Sequence, residues 1–193
     1  MRKSNIERKT LETDIALFLQ LDGSGKSDIE TGIGFFDHML TLFSRHGKMD
    51  LTLNCKGDSD VDFHHSVEDI GIVLGKAFNQ CLESKEGIRR YASDFIPMDE
   101  ALVQASVDIS GRAYLVFNVD YQNEKVGQFD TELVEEFFRA FVNHAKITLH
   151  INLIYGKNTH HIIEAVFKGF GRVLAQAVIT EGNEIMSTKG LID

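Results

Sequence analysis

The chain contains an internal duplication, which restricts its possible folds more than any other feature. Residues 64–76 align without gaps on residues 160–172, and both segments begin with the motif His-His-x-x-Glu. Further upstream, residues 35–48 match residues 133–146. No Pro-rich or Ser-rich linker separates the two copies, and the chain has a single proline. The sequence therefore predicts two copies of one structural unit that are fused closely.

Both copies show the same order of predicted elements. Apolar residues at helical spacing in 35–48 and 133–146 predict an amphipathic helix in each copy. Residues 50–55 and 148–153 alternate polar with apolar side chains and predict a strand. The segment that starts with His-His-x-x-Glu predicts a second helix, with the motif at its N-terminal end.

Further strands precede these blocks. Alternation predicts strands over 13–19, 101–109 and 113–119, and Ser110-Gly111-Arg112 predicts a hairpin turn between the last two. Residues 22–27 are rich in glycine but lack the Gly-x-x-x-x-Gly-Lys-Ser spacing of a phosphate-binding loop, so they predict another hairpin turn.

These elements indicate the α+β class. We expect two similar half-domains, 1–93 and 94–193, with the boundary near residues 90–95. Each half-domain is expected to be an antiparallel or mixed sheet with two helices packed on one face. The fourteen Phe residues stand mostly at helical spacing, which is typical of core packing.

Composition excludes several classes of protein. With 20 Lys+Arg against 29 Asp+Glu, the formal charge of −9 disfavours a nucleic acid partner or an anionic membrane surface, although a local basic pocket can hold one phosphate. No stretch approaches the roughly 20 apolar residues of a membrane span, and the first ten residues lack the apolar region of a signal peptide. Cys55 and Cys81 show no C-x-x-C spacing, so we expect reduced, buried thiols and a cytoplasmic location.

The duplicated motif favours metal binding. On a helix His64 and Glu68 lie four residues apart on one face, while His65 and Glu68, three apart, form the competing pair. Neighbouring histidines point about 100° apart, so the two should serve different metals. Mixed imidazole and carboxylate ligands suit Mn, Fe or Zn. Packing of the two halves, or of subunits, would let each metal draw ligands from both copies.

Other interpretations of the histidines stay open. A single His-His-x-x-Glu motif is more typical of capping or surface histidines, and only its repetition favours a metal site. A surface or core-edge position is favoured for His144 and His150, whereas both interpretations stay open for His46.

Five motifs together resemble the imidazoleglycerol-phosphate dehydratase family, and the similarity extends over essentially the whole chain. The motifs lie at residues 32–40, 62–69, 108–112, 159–164 and 187–190. The resemblance implies a manganese-dependent lyase of histidine biosynthesis that removes water from imidazoleglycerol phosphate and gives imidazoleacetol phosphate. It also implies a ribosomal protein S5 domain 2-like fold in two halves, and a homo-oligomer of 24 chains built from trimers, with active sites between subunits.

The resemblance also implies two metal ions in each active site and assigns their ligands by position. One Mn²⁺ takes His38, His65, His160 and Glu164, and the other takes His64, Glu68, Glu136 and His161. Many family members have histidine where this chain has Glu136, and the neighbouring Glu135 could compete as the ligand. Many family members also have a polar or acidic residue where this chain has Phe63.

The resemblance further implies the residues that hold the substrate. The phosphate is assigned to Arg90, Arg112, Ser187, Thr188 and Lys189, with Lys168 nearby and His46 as a further substrate residue. Glu12 is the candidate base. The accompanying hypothesis is that metal binding at both ring nitrogens forms an imidazolate, which expels the neighbouring hydroxyl and gives a diazafulvene-like intermediate whose proton Glu12 removes.

Two rival functions use the same ligand types. A binuclear metallohydrolase usually places its metals about 3.5–4 Å apart with a bridging group, whereas ligands divided evenly between repeats favour separate sites. A metal-storage or metal-assembled structural protein would explain the histidine pairs but leaves Arg90, Arg112 and residues 187–189 without a role.

Overall fold

The structure is a computed structural model that describes residues 1–192. The elements of the first half are β1 (Lys3–Lys9), β2 (Thr13–Gln20), β3 (Ser27–Glu30), α1 (Gly34–Gly47), β4 (Asp50–Gly57) and α2 (His64–Leu82). The elements of the second half are β5 (Tyr91–Met98), β6 (Ala101–Asp108), β7 (Tyr114–Asn118), β8 (Lys125–Val126), β9 (Phe129–Asp130), α3 (Glu132–Ala145), β10 (Thr148–Tyr155) and α4 (Thr159–Ala177).

The two main sheets share one topology. Their strand orders are β1-β2-β4-β3 and β5-β6-β10-β7. In each sheet the third strand of that order pairs antiparallel with one neighbour and parallel with the other. The second half adds the small β8-β9 hairpin. The predicted α+β class and its duplicated half-domains are therefore confirmed.

Both predicted hairpin turns are wrong. Residues 110–112 do connect β6 to β7, but β10 lies between these strands, and β4 lies in the same way between β2 and β3. The strand register explains why β2 pairs with β4 and not with β3 in the first half. β2 pairs with β4 over eight residue pairs, whereas the four-residue β3 is an edge strand. Residues 22–27 and 110–112 are therefore turns that lead across a sheet.

Strands β1, β3, β5, β8 and β9 were not predicted, and two of them show why. β1 is a mostly exposed edge strand in which only Ser4 is buried, so it lacks an apolar alternation. β5 contains Pro97, which has no N–H to donate; an edge strand tolerates it because one side of the strand has no neighbour that needs a donor. Since β5 begins at Tyr91, position 94 lies inside a strand of the second sheet; the division into 1–93 and 94–193 stays a prediction.

The helices of the two halves pack on one another between the sheets. α1 contacts α4, and α2 contacts α3. Aromatic rings fill this layer, with Phe170 4.9 Å from Phe141 and 5.1 Å from Phe43 between ring centroids. The Phe residues at helical spacing therefore form core, as expected, and one continuous core joins the two halves.

Two glycines that align in the repeat permit the close helix crossings. A Cβ at Gly75 would lie 2.5 Å from the carbonyl oxygen of Phe141 on α3. A Cβ at Gly171 would lie 2.5 Å from the carbonyl oxygen of Phe43 on α1. The absent side chains let the backbones of the paired helices approach directly.

Two further sequence expectations concern thiols and membranes. Cys55 and Cys81 are buried and free, and burial raises the pKa of each thiol to about 11. No helix within residues 1–192 combines the length and apolar character that crossing a bilayer requires.

Candidate metal and substrate site

Side chains from both repeats meet where α1 crosses α4. His38 lies in the second turn of α1, while His160 and Glu164 lie four residues apart at the start of α4. Glu164 Oε1 is 3.1 Å from His38 Nε2 and 3.0 Å from His160 Nε2. The ligand atoms of the three residues all lie within 4.8 Å of one another. We call these residues the α1-α4 trio.

The electrostatics of the trio favour a cation. Burial raises the pKa of Glu164, but hydrogen bonds from Lys168, His38 and His160 outweigh it and lower the pKa to about 2. Glu164 is therefore an anion at neutral pH. The side chains of His38 and His160 are 46% and 42% exposed, so one side of the trio is open to further ligands.

Lys168 lies at the trio and not with the other candidate phosphate residues. Its Nζ is 2.5 Å from Glu164 Oε2, the carboxylate oxygen that faces away from the two histidines. Lys168 therefore leaves Oε1 to the trio and holds the carboxylate in a fixed orientation.

His65, the fourth ligand assigned to the first metal, lies apart from the trio within one chain. Its Nδ1 is 3.0 Å from the carboxylate of Asp58, and its Nε2 is 3.7 Å from Glu12 Oε1. Within residues 1–192, the potential metal ligands that form a cluster are His38, His160 and Glu164, and His65 is not among them. A single chain thus brings together three of these four predicted ligands.

The ligands assigned to the second metal lie further apart. His64 Nε2 is 3.9 Å from Glu68 Oε2, so the spacing of four is the one that the α2 helix uses. Glu136 on α3 faces Arg139, with 3.6 Å between its carboxylate and the guanidinium Nε. His161 contacts Glu100 instead. Over residues 1–192 this set does not converge within one chain.

Sequence reasoning missed Glu100 and Asp58, which contact the second histidine of each motif. Glu100 Oε2 is 2.7 Å from His161 Nδ1, and this hydrogen bond, with backbone N–H groups, lowers the pKa of Glu100 to about 2. The hydrogen bond to Glu100 raises the pKa of His161, and that to Asp58 raises the pKa of His65. Extending the repeat alignment to the turn between β5 and β6 would have pointed to Glu100, because the matching turn carries Glu12.

Most of the candidate phosphate residues share one cleft of about 700 Å³. The residues of that set that line it are Arg90, Arg112, Ser187, Thr188 and Lys189. Arg90 donates to the carboxylate of Asp108 over 2.7 Å and to the carbonyl of Met186, which holds the C-terminal segment over the cleft. Arg90 has a φ of 74°, a conformation that L residues seldom adopt and that is frequent at functional sites.

His46 lies in a different cleft. That cleft has a volume of about 660 Å³, and Arg2, Lys48 and Arg172 also line it. Burial lowers the pKa of His46, and the charges of Lys168 and Arg172 lower it further. The structure therefore separates His46 from the cleft that contains Arg112 and Lys189.

The sequence model of the imidazoleglycerol-phosphate dehydratase family matches residues 31–174, a span that contains both His-His-x-x-Glu motifs. The chain belongs to this family. Among curated imidazoleglycerol-phosphate dehydratases, that of Oceanobacillus iheyensis is 61% identical over 98% of this chain and 99% of its own length. That of Acetivibrio thermocellus is 58% identical over 99% of both chains.

Solved structures of the family agree in fold. The crystal structure of imidazoleglycerol-phosphate dehydratase from Staphylococcus aureus matches with a TM-score of 0.84 at 47% identity, covering 92% of this chain and 99% of that one. The enzyme from Pyrococcus furiosus gives a TM-score of 0.84 at 36% identity, with 96% and 99% covered. The duplicated architecture is thus shared with imidazoleglycerol-phosphate dehydratases of known structure.

Proposed function

We propose that the chain dehydrates imidazoleglycerol phosphate to imidazoleacetol phosphate in the biosynthesis of histidine. The observation that carries the proposal is the α1-α4 trio, in which two imidazole nitrogens and a carboxylate from opposite repeats converge within 4.8 Å. Membership of the imidazoleglycerol-phosphate dehydratase family supports the substrate and the reaction. The cationic cleft supports a phosphorylated substrate, because Arg and Lys donors suit phosphate oxygens.

The donors of the trio fit a divalent metal ion. A buried carboxylate with a pKa of about 2 supplies negative charge, and two ring nitrogens point at the same oxygen atom. Mixed nitrogen and oxygen donors suit Mn, Fe or Zn, and of these we propose Mn²⁺ because of the family resemblance. The residues proposed to hold the first ion are His38, His65, His160 and Glu164, and those for the second are His64, Glu68, Glu136 and His161.

We further propose that subunits of a homo-oligomer complete both sets. His65 stands at the start of α2, and its Nε2 faces Glu12 rather than the trio of its own chain. A neighbouring chain that presents His65 to the trio would complete the first set. The 24-chain assembly built from trimers is the arrangement proposed for this exchange.

The proposed metal supplies one kind of chemistry. When bound, Mn²⁺ acts as a Lewis acid toward ring nitrogens of the substrate. All other steps fall to side chains of the protein.

The phosphate is proposed to bind in the cationic cleft. Arg90 is already fixed by Asp108, so it contributes a stationary positive charge at the base of the C-terminal segment. Arg112 and Lys189 supply donors that can turn toward the phosphate, and the hydroxyls of Ser187 and Thr188 can complete the cradle.

Glu12 is proposed to remove the proton. It occupies the turn between β1 and β2, its side chain is 53% exposed, and its Oε1 is 3.7 Å from His65 Nε2. In the reaction the carboxylate takes the proton from the carbon that bears the remaining hydroxyl, and the bond from the neighbouring carbon to its hydroxyl breaks. That hydroxyl leaves as water with one proton, so the proton taken up and the proton supplied cancel over the cycle, and the resulting enol becomes the ketone. A general base must lie within hydrogen-bond reach of the proton that it takes, and an exposed carboxylate in a turn is accessible to a substrate.

The deciding experiment incubates the Mn²⁺-loaded protein with imidazoleglycerol phosphate and measures the enolisable ketone by its absorbance in alkali. Ketone formation is the expected result. Release of inorganic phosphate without ketone would favour a metallohydrolase. Binding of Mn²⁺ with neither product would favour a metal-assembled protein.

A further inference from the structure

We propose that Glu100 and Asp58 are positioning residues that fix the ring tautomer of His161 and His65, so that the Nε2 atom of each histidine is kept as the metal ligand. This inference rests on the proposed function, because it concerns ligands of the proposed Mn²⁺ ions. It names two carboxylates that belong to neither ligand set.

The contacts of the second histidines carry the argument. Glu100 Oε2 lies 2.7 Å from His161 Nδ1, and Asp58 Oδ2 lies 3.0 Å from His65 Nδ1. An ionised carboxylate only accepts hydrogen bonds, so Nδ1 must carry the hydrogen in both rings. The lone pair of the neutral imidazole then stays on Nε2, the atom free to bind a cation.

A backbone network holds Glu100 in place. Its Oε1 accepts hydrogen bonds from the backbone N–H of Asn158 at 2.6 Å and of Lys157 at 3.2 Å. Asn158 in turn caps α4, because its side chain accepts from the N–H groups of His160 and His161. Both oxygens of Glu100 are thus engaged, and the carboxylate links the turn between β5 and β6 to the start of the helix that carries the motif.

Asp58 is held through its backbone and not, like Glu100, through its carboxylate. It directly follows β4, and its N–H donates to the carbonyl of Glu12 at 3.1 Å. The turn that bears the candidate base and the carboxylate that orients His65 are therefore joined by a hydrogen bond.

The two halves reach the same arrangement from different chain positions. The second histidine of each motif has a separate carboxylate near each of its two ring nitrogens. Nε2 of His65 is 3.7 Å from Glu12, and Nε2 of His161 is 3.7 Å from Asp99. The Nδ1 partner is closer in both halves, but Asp58 follows β4 whereas Glu100 precedes β6. The two halves share the hydrogen bond between a carboxylate and Nδ1, although the carboxylates stand at positions that do not match in the repeat. This argues that both repeats require the hydrogen bond itself.

Partners of this kind affect metal affinity. Removing the carboxylate or carbonyl that orients a metal-ligating histidine typically weakens binding about 10–100-fold. Glu100 contacts a ligand assigned to the second ion, and Asp58 contacts a ligand assigned to the first. Each substitution should therefore weaken one ion and spare the other.

The test is a Mn²⁺ titration of the full-length, metal-stripped protein, with free Mn²⁺ counted by electron paramagnetic resonance. The variants are Glu100→Ala and Asp58→Ala, with Glu86→Ala and Asp60→Ala as matched controls at exposed carboxylates. We expect the wild-type chain and both controls to bind two ions tightly. In each test variant one ion should keep its affinity and the other should bind about 10–100-fold more weakly.

Two companion variants separate positioning from general stability. Glu100→Gln keeps an acceptor oxygen and should recover most of the lost affinity, whereas Glu100→Met keeps the bulk without that oxygen and should behave like Glu100→Ala. If Glu100→Ala fails to fold, Glu100→Met and Asp58→Ala decide the question. Melting temperatures are measured on every variant.

The outcomes distinguish failure of this inference from failure of the proposed function. A wild-type chain that binds no Mn²⁺ would overturn the proposed metal sites themselves. A wild-type chain that binds two ions, with Glu100→Ala and Asp58→Ala both within twofold of it, would overturn the positioning role alone. Equal weakening of both ions together with a lower melting temperature would also overturn it, because that pattern belongs to a structural role.

Discussion

Gly171→Ala tests whether the close approach of α4 to α1 is needed for stability and for the α1-α4 trio. The added Cβ would lie 2.5 Å from the carbonyl oxygen of Phe43 and 3.0 Å from the N–H nitrogen of Gly47. Both are backbone atoms of a neighbouring helix, so neither can turn away as a side chain could. The helices must move apart to accommodate the methyl group.

The expected cost is worked from two opposing terms. Overpacking of a well-packed core costs about 1–3 kcal/mol, and a clash with backbone belongs at the upper end. Replacing glycine by alanine inside a helix returns about 1 kcal/mol. The net loss in the free energy of unfolding should therefore be about 2 kcal/mol, measured by urea unfolding at one fixed protein concentration.

The same movement should affect the proposed metal site. His38 lies on α1, whereas His160 and Glu164 lie on α4, so separating the helices lengthens the His38 to Glu164 distance from 3.1 Å. We expect weaker Mn²⁺ binding in this variant by the same titration. Gly34→Ala is the control, because a Cβ at Gly34 meets nothing within 4 Å. Stability of Gly171→Ala equal to or above that of the wild type would refute the reasoning.

Three further predictions concern single side chains. Glu12→Gln should lower kcat about 10²–10⁴-fold while Mn²⁺ content stays the same, and near-normal turnover would remove Glu12 from the mechanism. Arg112→Ala should raise KM about 10–100-fold through loss of a charged hydrogen bond to phosphate, read from initial rates; an unchanged KM would place the phosphate elsewhere. The N–H groups of Lys26 and Ser24 lower the pKa of Asp50, so its stabilising contribution is present above the unfolded pKa of about 3.9 and is lost as the pH falls through the folded pKa. The melting temperature of Asp50→Asn should therefore lie below that of the wild type at pH 7 and approach it at low pH, and a constant difference would contradict this account.

The sequence predicts elements well where the signal is local. Short segments suffice to show the amphipathic pattern of α1 and α3 and the alternation of β4 and β10. Each pattern occurs once in each repeat, and the structure has the predicted element in both. Strand order is different, because pairing between β6 and β10 depends on residues 40 to 53 positions apart. A turn motif such as residues 110–112 shows that the chain reverses, but it does not show which strand becomes the neighbour.

The candidate site divides in the same way. Helical spacing predicts that His160 and Glu164 share a face, and the structure places them 3.0 Å apart. His38 joins them only because α1 packs on α4. The repeat suggested that the two halves pack on one another, but it did not show which helices meet. Glu100 and Asp58 were not predicted because both stand in turns, where no periodic pattern identifies them. The metal role of all these residues stays a prediction.

The trio also has a consequence for the order of events during synthesis. His38 and Glu164 are 126 residues apart in the chain, and at about 5–20 residues per second the ribosome needs roughly 6–25 seconds to make the intervening segment. His38 therefore leaves the ribosome long before His160 and Glu164 have been made. Assembly of the proposed metal site must wait for the last helix, because a truncated product that ends before α4 would lack both His160 and Glu164.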